Sequence, residues 1–296
     1  MNTFSDNSQN GKEQALNIKI TSDSTCDLSP EILKKYDIAV IPLTVTLGEK
    51  SGHDGIDVTP EDIYAYVDQT GNLPKSSAVS IGEYESFFQT WHDRGYEIIH
   101  FNISEKFSAS YQHACTAAKE IGGVYVVDSE NLSTGQGLMV IHAAEMARSG
   151  MNAEEITERC RKLAPQIEAS FVVNTIDYLH KGGRCSALAA LSANLLHIKP
   201  CIEVQNGAMH PGKKYHGNIR HAILSYAEDR LKNRNDINPE RMFITHTRCD
   251  QKIVDEVKNI IQQYCPEIQE ITETTAGATI TTHCGPNTLG ILFIRK

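Results

Sequence analysis

Short runs of β-branched and aliphatic residues alternate along the chain with segments whose apolar positions recur every three or four residues. The runs at 18–21, 38–47, 97–102 and 124–128 predict strands, and the segments at 30–36, 108–121 and 132–148 predict helices between them. Such a β-α-β-α rhythm implies a mainly parallel sheet covered by helices on both faces. Residues 48–57, rich in glycine and charge, read as a hairpin excursion. A helix then starts with Thr59 as N-cap, Pro60 at the first position and Glu61 and Asp62 in the first turn. After a helix at 153–167 a second alternation begins: strands at 171–174 and 197–204, a turn at Asn206-Gly207, a helix at 218–232, a strand at 242–246, a helix at 251–264 and closing strands at 268–274 and 289–294. The expected fold class is therefore α/β with two α/β domains. A mobile tail at 1–16 precedes an N-terminal domain at 17–168 and a C-terminal domain at 169–296.

Composition narrows the function classes. With 296 residues, 40% hydrophobic and 22% charged, the chain has apolar surface enough for a sizeable core. Its formal charge of −9 disfavours general nucleic-acid binding. The longest apolar stretches, 138–147 and 187–198, are interrupted by His142, Glu145, Ser192 and Asn194 and fall short of the ~20 residues a spanning helix needs. No membrane span is expected, and the first sixteen residues lack the basic and apolar regions of a secretory signal, which points to the cytoplasm. The eight cysteines contain no C-x-x-C and read as reduced core fillers. His216 and His221 are poorly spaced for one metal, so no metal site is expected.

Five polar segments are candidate sites, each with a bland explanation. Thr21-Ser22-Asp23-Ser24-Thr25 falls at the carboxyl end of the first strand, where open α/β sheets keep their ligand crevice, yet Asp23 and Ser24 also suit a simple turn. In 74–80, Ser80 with Glu83 forms a capping box, leaving Ser76 and Ser77 free to hold a carboxylate or phosphate. Ser108 opens the helix after the 97–102 strand, as an anion site or as an ordinary N-cap. Arg184 follows the pair Gly182-Gly183, one of which can end a helix, and its guanidinium suits an oxyanion. His283 begins what reads as a polar turn, 282–288, between two strands. Hydrolase, zinc-peptidase, Walker and dinucleotide motifs are missing from the sequence, so no cofactor is expected.

Taken together, Ser22-Asp23-Ser24-Thr25-Cys26-Asp27-Leu28, Ile41-Pro42-Leu43, Pro74-Lys75-Ser76-Ser77, the segment 104–114, Tyr178-Leu179-His180-Lys181-Gly182-Gly183-Arg184, Ile198-Lys199-Pro200 and His283-Cys284-Gly285-Pro286 resemble the DegV family of bacterial fatty-acid-binding proteins, from about residue 18 to the last strand. The resemblance implies one long-chain fatty acid, such as palmitate, in an apolar tunnel near the domain junction. It implies carboxylate contacts from Ser76, Ser77 and Ser108, with Asp23, Ser24, Arg184 and His283 in the headgroup vicinity. It further implies a carrier without catalysis of its own, presenting the carboxylate to a separate dihydroxyacetone-kinase-like fatty-acid kinase that makes the acyl phosphate.

The chain departs from the family pattern at Ser76, where threonine is usual, at Ala109 and Ser110 for Gly-Thr, at Asn287 for glycine, and at His216 for arginine. Two other readings stand beside the carrier. One is an enzyme acting on a small acyl or phosphate substrate with Asp23, His283 and Ser108 as its acid-base and nucleophile set. The other is a regulatory protein with a structural lipid.

Overall fold

The computed structural model describes residues 17–184 and 198–296. The expected tail at 1–16, Cys185 and most of the 187–198 stretch lie outside the described residues.

The first sheet is parallel, in the order β2-β1-β6-β7, with β1 (Asn17–Asp23), β2 (Ala39–Ile41), β6 (Tyr96–Asn102) and β7 (Val124–Asp128). Helices cover both faces, as the alternation predicts. Along β6, Ile98 packs with Tyr84 and Phe88 of α3 (Ile81–His92) and Ala114 of α4 (Ser110–Ile121). Its neighbours Ile99 and Phe101 belong to the opposite cluster, with Leu138 and Met139 of α5 (Ser133–Arg148) and Ile156 of α6 (Ala153–Leu163). This opposite-face alternation is the two-residue period of a strand buried on both sides.

The 38–47 run is not one strand. It breaks at Pro42, whose nitrogen cannot donate to a ladder. Only β2 joins the parallel sheet, while β3 (Thr44–Leu47) turns away to pair antiparallel with β4 (Lys50–His53) and with β5 (Lys75–Ser77). The expected hairpin excursion is thus present, and the 74–80 loop contributes a short strand. α1 (Pro30–Tyr36) and α2 (Pro60–Thr70) complete this half, and capping boxes at Thr59/Asp62 and Ser80/Glu83 start α2 and α3.

The second sheet is mixed, in the order β10-β9-β8-β13-β11-β12, from β8 (Ile167–Val172), β9 (Ile198–Gln205), β10 (Ala208–His216), β11 (Ile237–Thr247), β12 (Glu270–Thr275) and β13 (Thr288–Arg295). Only β11 and β12 run parallel. Helices α8 (Ile219–Leu231) and α9 (Gln251–Tyr264) pack on one face through Tyr226, Ile223, Val254 and Val257. The other face offers Phe171, Phe243 and Leu292 to the same core that holds α5 and β1. The two sheets therefore share one continuous core, with the largely buried α5 between them.

Two short helices finish the fold. α7 (Asp177–Lys181) precedes the double glycine, and α10 (Ala278–Cys284) takes in Thr282, His283 and Cys284, the first residues of the segment read as a polar turn. His283 therefore lies on a buried helical turn and not in an exposed loop.

Candidate functional site

Ser76, Ser77, Ser108, Arg184 and His283 line a single cavity. They arrive from four places: β5, the turn before α4, the residue after Gly182-Gly183, and the last turn of α10. The rest of the wall is largely apolar, with Leu43, Ile103, Phe107, Leu132, Met209, Ile280 and Cys284. Leu132, Ile280 and Cys284 also bound a second apolar cavity that continues to Phe171, Leu292 and Ala276 of the shared core.

The polar end is tightly organised. Ser76 Oγ and His283 Nε2 are 2.7 Å apart. Burial, with the Arg184 charge as a lesser cause, pulls the His283 pKa down to about 4, so the imidazole is neutral near pH 7. With its proton on Nε2, the ring donates to Ser76 and leaves the serine O–H free for an anion. Ser108 is not the N-cap of α4. That position belongs to Ala109, which supplies no side-chain bond, while Ser108 Oγ accepts the Ser110 N–H at 3.2 Å and pairs with Ser110 Oγ at 2.9 Å. Arg184 is exposed and donates to the carbonyls of Gly182 (2.7 Å) and Phe107 (3.4 Å).

The structure does not bring Asp23 and Ser24 to the cavity wall. The Asp23 carboxylate is fully buried and accepts bonds from Thr25 N (3.1 Å), Thr25 Oγ1 (2.5 Å), Gln136 Nε2 (2.9 Å), Asn102 Nδ2 (3.2 Å) and Ile103 N (2.9 Å). Burial raises its pKa against those hydrogen bonds. Ser24 Oγ donates to Asp54 (2.9 Å) and accepts from Leu43 N (3.1 Å). Ile103 and Leu43 line the cavity, so Asp23 and Ser24 act one layer behind it by fixing its backbone. The nominal set Asp23, His283 and Ser108 is not joined: among the described residues, His283 pairs with Ser76 and Ser108 with Ser110.

Sequence reasoning missed what holds α10. Asp27 Oδ1 accepts the Gly277 N–H at 2.8 Å and Asp54 Oδ1 accepts the Ala278 N–H at 2.7 Å, so two carboxylates meet at the start of the helix. Asp27 also accepts from Ser133 Oγ at 2.5 Å. Burial, opposed by those bonds and aided by the charges of Asp54 and Asp23, pushes its pKa up to about 8. A side chain at 277 would place its Cβ 3.1 and 3.2 Å from the two carboxylates, which is why glycine stands there. Cys284 is no nucleophile, because burial raises its thiol pKa to about 12. No group of residues suited to a metal ion occurs among the described residues, and no described helix is long and apolar enough to cross a membrane.

The second sheet reaches the site through the β9–β10 turn. Ser104 Oγ donates to Gly207 O (2.8 Å) and Lys106 Nζ to Asn206 O (2.7 Å), which brings Met209 to the cavity.

Residues 17–296 match the family model described as "Uncharacterised protein, DegV family COG1307". The chain belongs to the DegV family. A DegV domain-containing protein of Clostridium acetobutylicum is 32% identical over 288 residues, covering 94% of this chain and 99% of the relative. A fatty acid-binding protein of Thermotoga maritima is 30% identical over 282 residues, covering 93% and 96%. The crystal structure of a stearic acid-binding protein from Eubacterium ventriosum superimposes with a TM-score of 0.83 at 26% identity, over 95% of this chain and 98% of that one. The DegV relationship thus spans every segment that contributes to the cavity.

Proposed function

We propose that this protein binds one long-chain fatty acid in an apolar tunnel near the junction of its 17–168 and 169–296 halves and presents the carboxylate to a separate fatty-acid kinase. In this reading Ser76, Ser77 and Ser108 hold the carboxylate. His283 orients Ser76, Arg184 stands at the entrance, and Asp23 and Ser24 brace the wall. The alkyl chain runs from the first apolar cavity past Leu132, Ile280 and Cys284 into the second, so the C-terminal half supplies much of the lipid surface. Each buried CH₂ contributes about 0.8 kcal/mol, so the tail supplies affinity and the hydroxyls supply orientation.

The observation that carries the proposal is the convergence of three serines and a neutral imidazole, from separate segments, on the wall of one largely apolar cavity. The fatty-acid ligands named for relatives of this family support the ligand class. A carboxylate held by neutral hydroxyls keeps its nucleophilicity for a γ-phosphoryl group, whereas a bidentate arginine clamp would draw it down. The protein's own role is then binding, without catalysis. Seven free cysteines among the described residues suit a reducing compartment such as the cytoplasm.

The test is mass spectrometry of the protein purified natively and then denatured, followed by incubation of the loaded protein with ATP, with and without a dihydroxyacetone-kinase-like fatty-acid kinase. About one C14 to C18 acid released per chain, and acyl phosphate formed only with the kinase, is the expected result; Arg184→Ala should keep the lipid and lose the transfer. A protein that neither contains nor takes up fatty acid refutes the ligand, and acyl phosphate formed without the kinase refutes the carrier role.

A further inference from the structure

The cavity holds one more hydroxyl, which the described residues leave unused. Thr279 lies in the first turn of α10, is 3% exposed and lines the same cavity as Ser76, Ser77 and Ser108. Its Oγ1 finds no hydrogen-bond partner among the described residues. Buried hydroxyls are seldom left so, and a helical threonine has an easy remedy in a carbonyl one turn back. Thr281, two residues along, donates to Ala276 O just before the helix at 3.4 Å, whereas Thr279, in the first turn where the carbonyl one turn back lies outside the helix, forms no such bond. Four residues on, one helical turn away on the same face, stands His283, 9% exposed, with Nδ1 likewise unpartnered among the described residues. Two buried polar groups on one side of α10 thus border the cavity that Ser76, Ser77 and Ser108 also line.

We infer that Thr279 donates a further hydroxyl to the headgroup of the bound lipid and is a binding residue of the site. The inference rests on the fatty-acid reading above. A carboxylate offers about four lone-pair directions, more than the serines of β5 fill from one side. Ser108 already shares its hydroxyl with Ser110. Thr279 approaches from α10, so the headgroup is gripped between the two halves of the chain. A hydroxyl that is a liability in the folded protein and an asset in the complex is what a binding site retains at the expense of stability.

The experiment measures palmitate affinity and the melting temperature of the delipidated full-length chain for wild type, Thr279→Val and Thr279→Ser. Valine keeps the shape and removes the hydroxyl, so its Kd for palmitate should rise by at least about tenfold, the effect of one hydrogen bond to a charged group. Its delipidated form should melt at or above the wild-type temperature, because the unpaired polar atom is gone. Serine should restore affinity to within about threefold, well inside the effect of one such bond. A valine variant that binds palmitate like wild type, or whose delipidated form melts clearly lower, overturns the inference and assigns the hydroxyl to the fold. Failure of the wild type itself to bind overturns the fatty-acid reading, and this inference with it.

Discussion

Gly182→Ala isolates the contact that positions His283. Gly182 has φ −71° and ψ −12°, a conformation open to any residue, so its lack of a side chain answers to space rather than to backbone freedom. A Cβ there would stand 2.5 Å from His283 Nδ1 and 2.8 Å from Tyr178 O, well inside ordinary contact. The ring cannot yield freely, because its other nitrogen is 2.7 Å from Ser76 Oγ. Forcing a methyl into such a site costs roughly 1–3 kcal/mol, and the lost Ser76 bond about 1 kcal/mol more. The stiffer unfolded chain returns about 0.4–1 kcal/mol. The net expectation is a loss of about 2 kcal/mol together with weakened palmitate binding. Gly183→Ala is the control: φ is +69° and none of the described residues lies within 4 Å of the new Cβ, so it should lose about 1–2 kcal/mol to backbone strain alone and keep its affinity. Urea denaturation of the delipidated proteins gives the stabilities, and equilibrium palmitate binding gives the second axis. If Gly182→Ala binds as wild type does, or if Gly183→Ala harms binding equally, the glycine does not serve to seat the histidine.

Two pH dependences follow from buried groups. The His283 pKa falls from 6.5 to about 4 on folding, so its stabilising share is complete above about pH 6.5 and disappears as pH drops toward 4, an effect of roughly 3 kcal/mol. His283→Gln should therefore shrink the difference between urea midpoints at pH 7 and pH 4.5, and an unchanged difference would assign the acid sensitivity elsewhere, for instance to His100, whose pKa burial lowers to about 3. Asp27 works in the opposite sense: its pKa rises from 3.8 to about 8, the folded protein holds the extra proton, and stability falls as pH climbs through that window. Asp27→Asn should gain on wild type between pH 6 and pH 9, and parallel stability curves for the two would show that Asp27 does not titrate there.

Local chemistry was readable wherever the stabilising partner is near in sequence. The capping residues Thr59 with Asp62 and Ser80 with Glu83, the Asn206-Gly207 turn and the helix at 251–264 all depend on contacts within a few positions, and all appear in the structure. Reading 38–47 as one strand went wrong because the apolar alternation continues through Pro42 although the ladder does not. The serine segments were visible one at a time, each with a bland explanation, and only the resemblance joined them; their common cavity is a product of tertiary packing. The segment 278–284 was the least legible. Its threonines and isoleucine favour helix poorly and glycine and proline follow at once, so 282–288, which takes in its last three residues, reads as a turn. What makes it a helix is the pair of carboxylates at its first N–H groups, Asp27 acting across 250 residues and Asp54 across 224, together with burial among the elements of both halves. Thr279 escaped notice for that reason, since its alignment with His283 exists only once 278–284 is helical. The same dependence explains why the site needs both halves of the chain. The N-terminal half supplies Asp27, Asp54 and the serines, the C-terminal half supplies the helix they hold, and a cavity with both hydroxyls and imidazole forms only where the two meet.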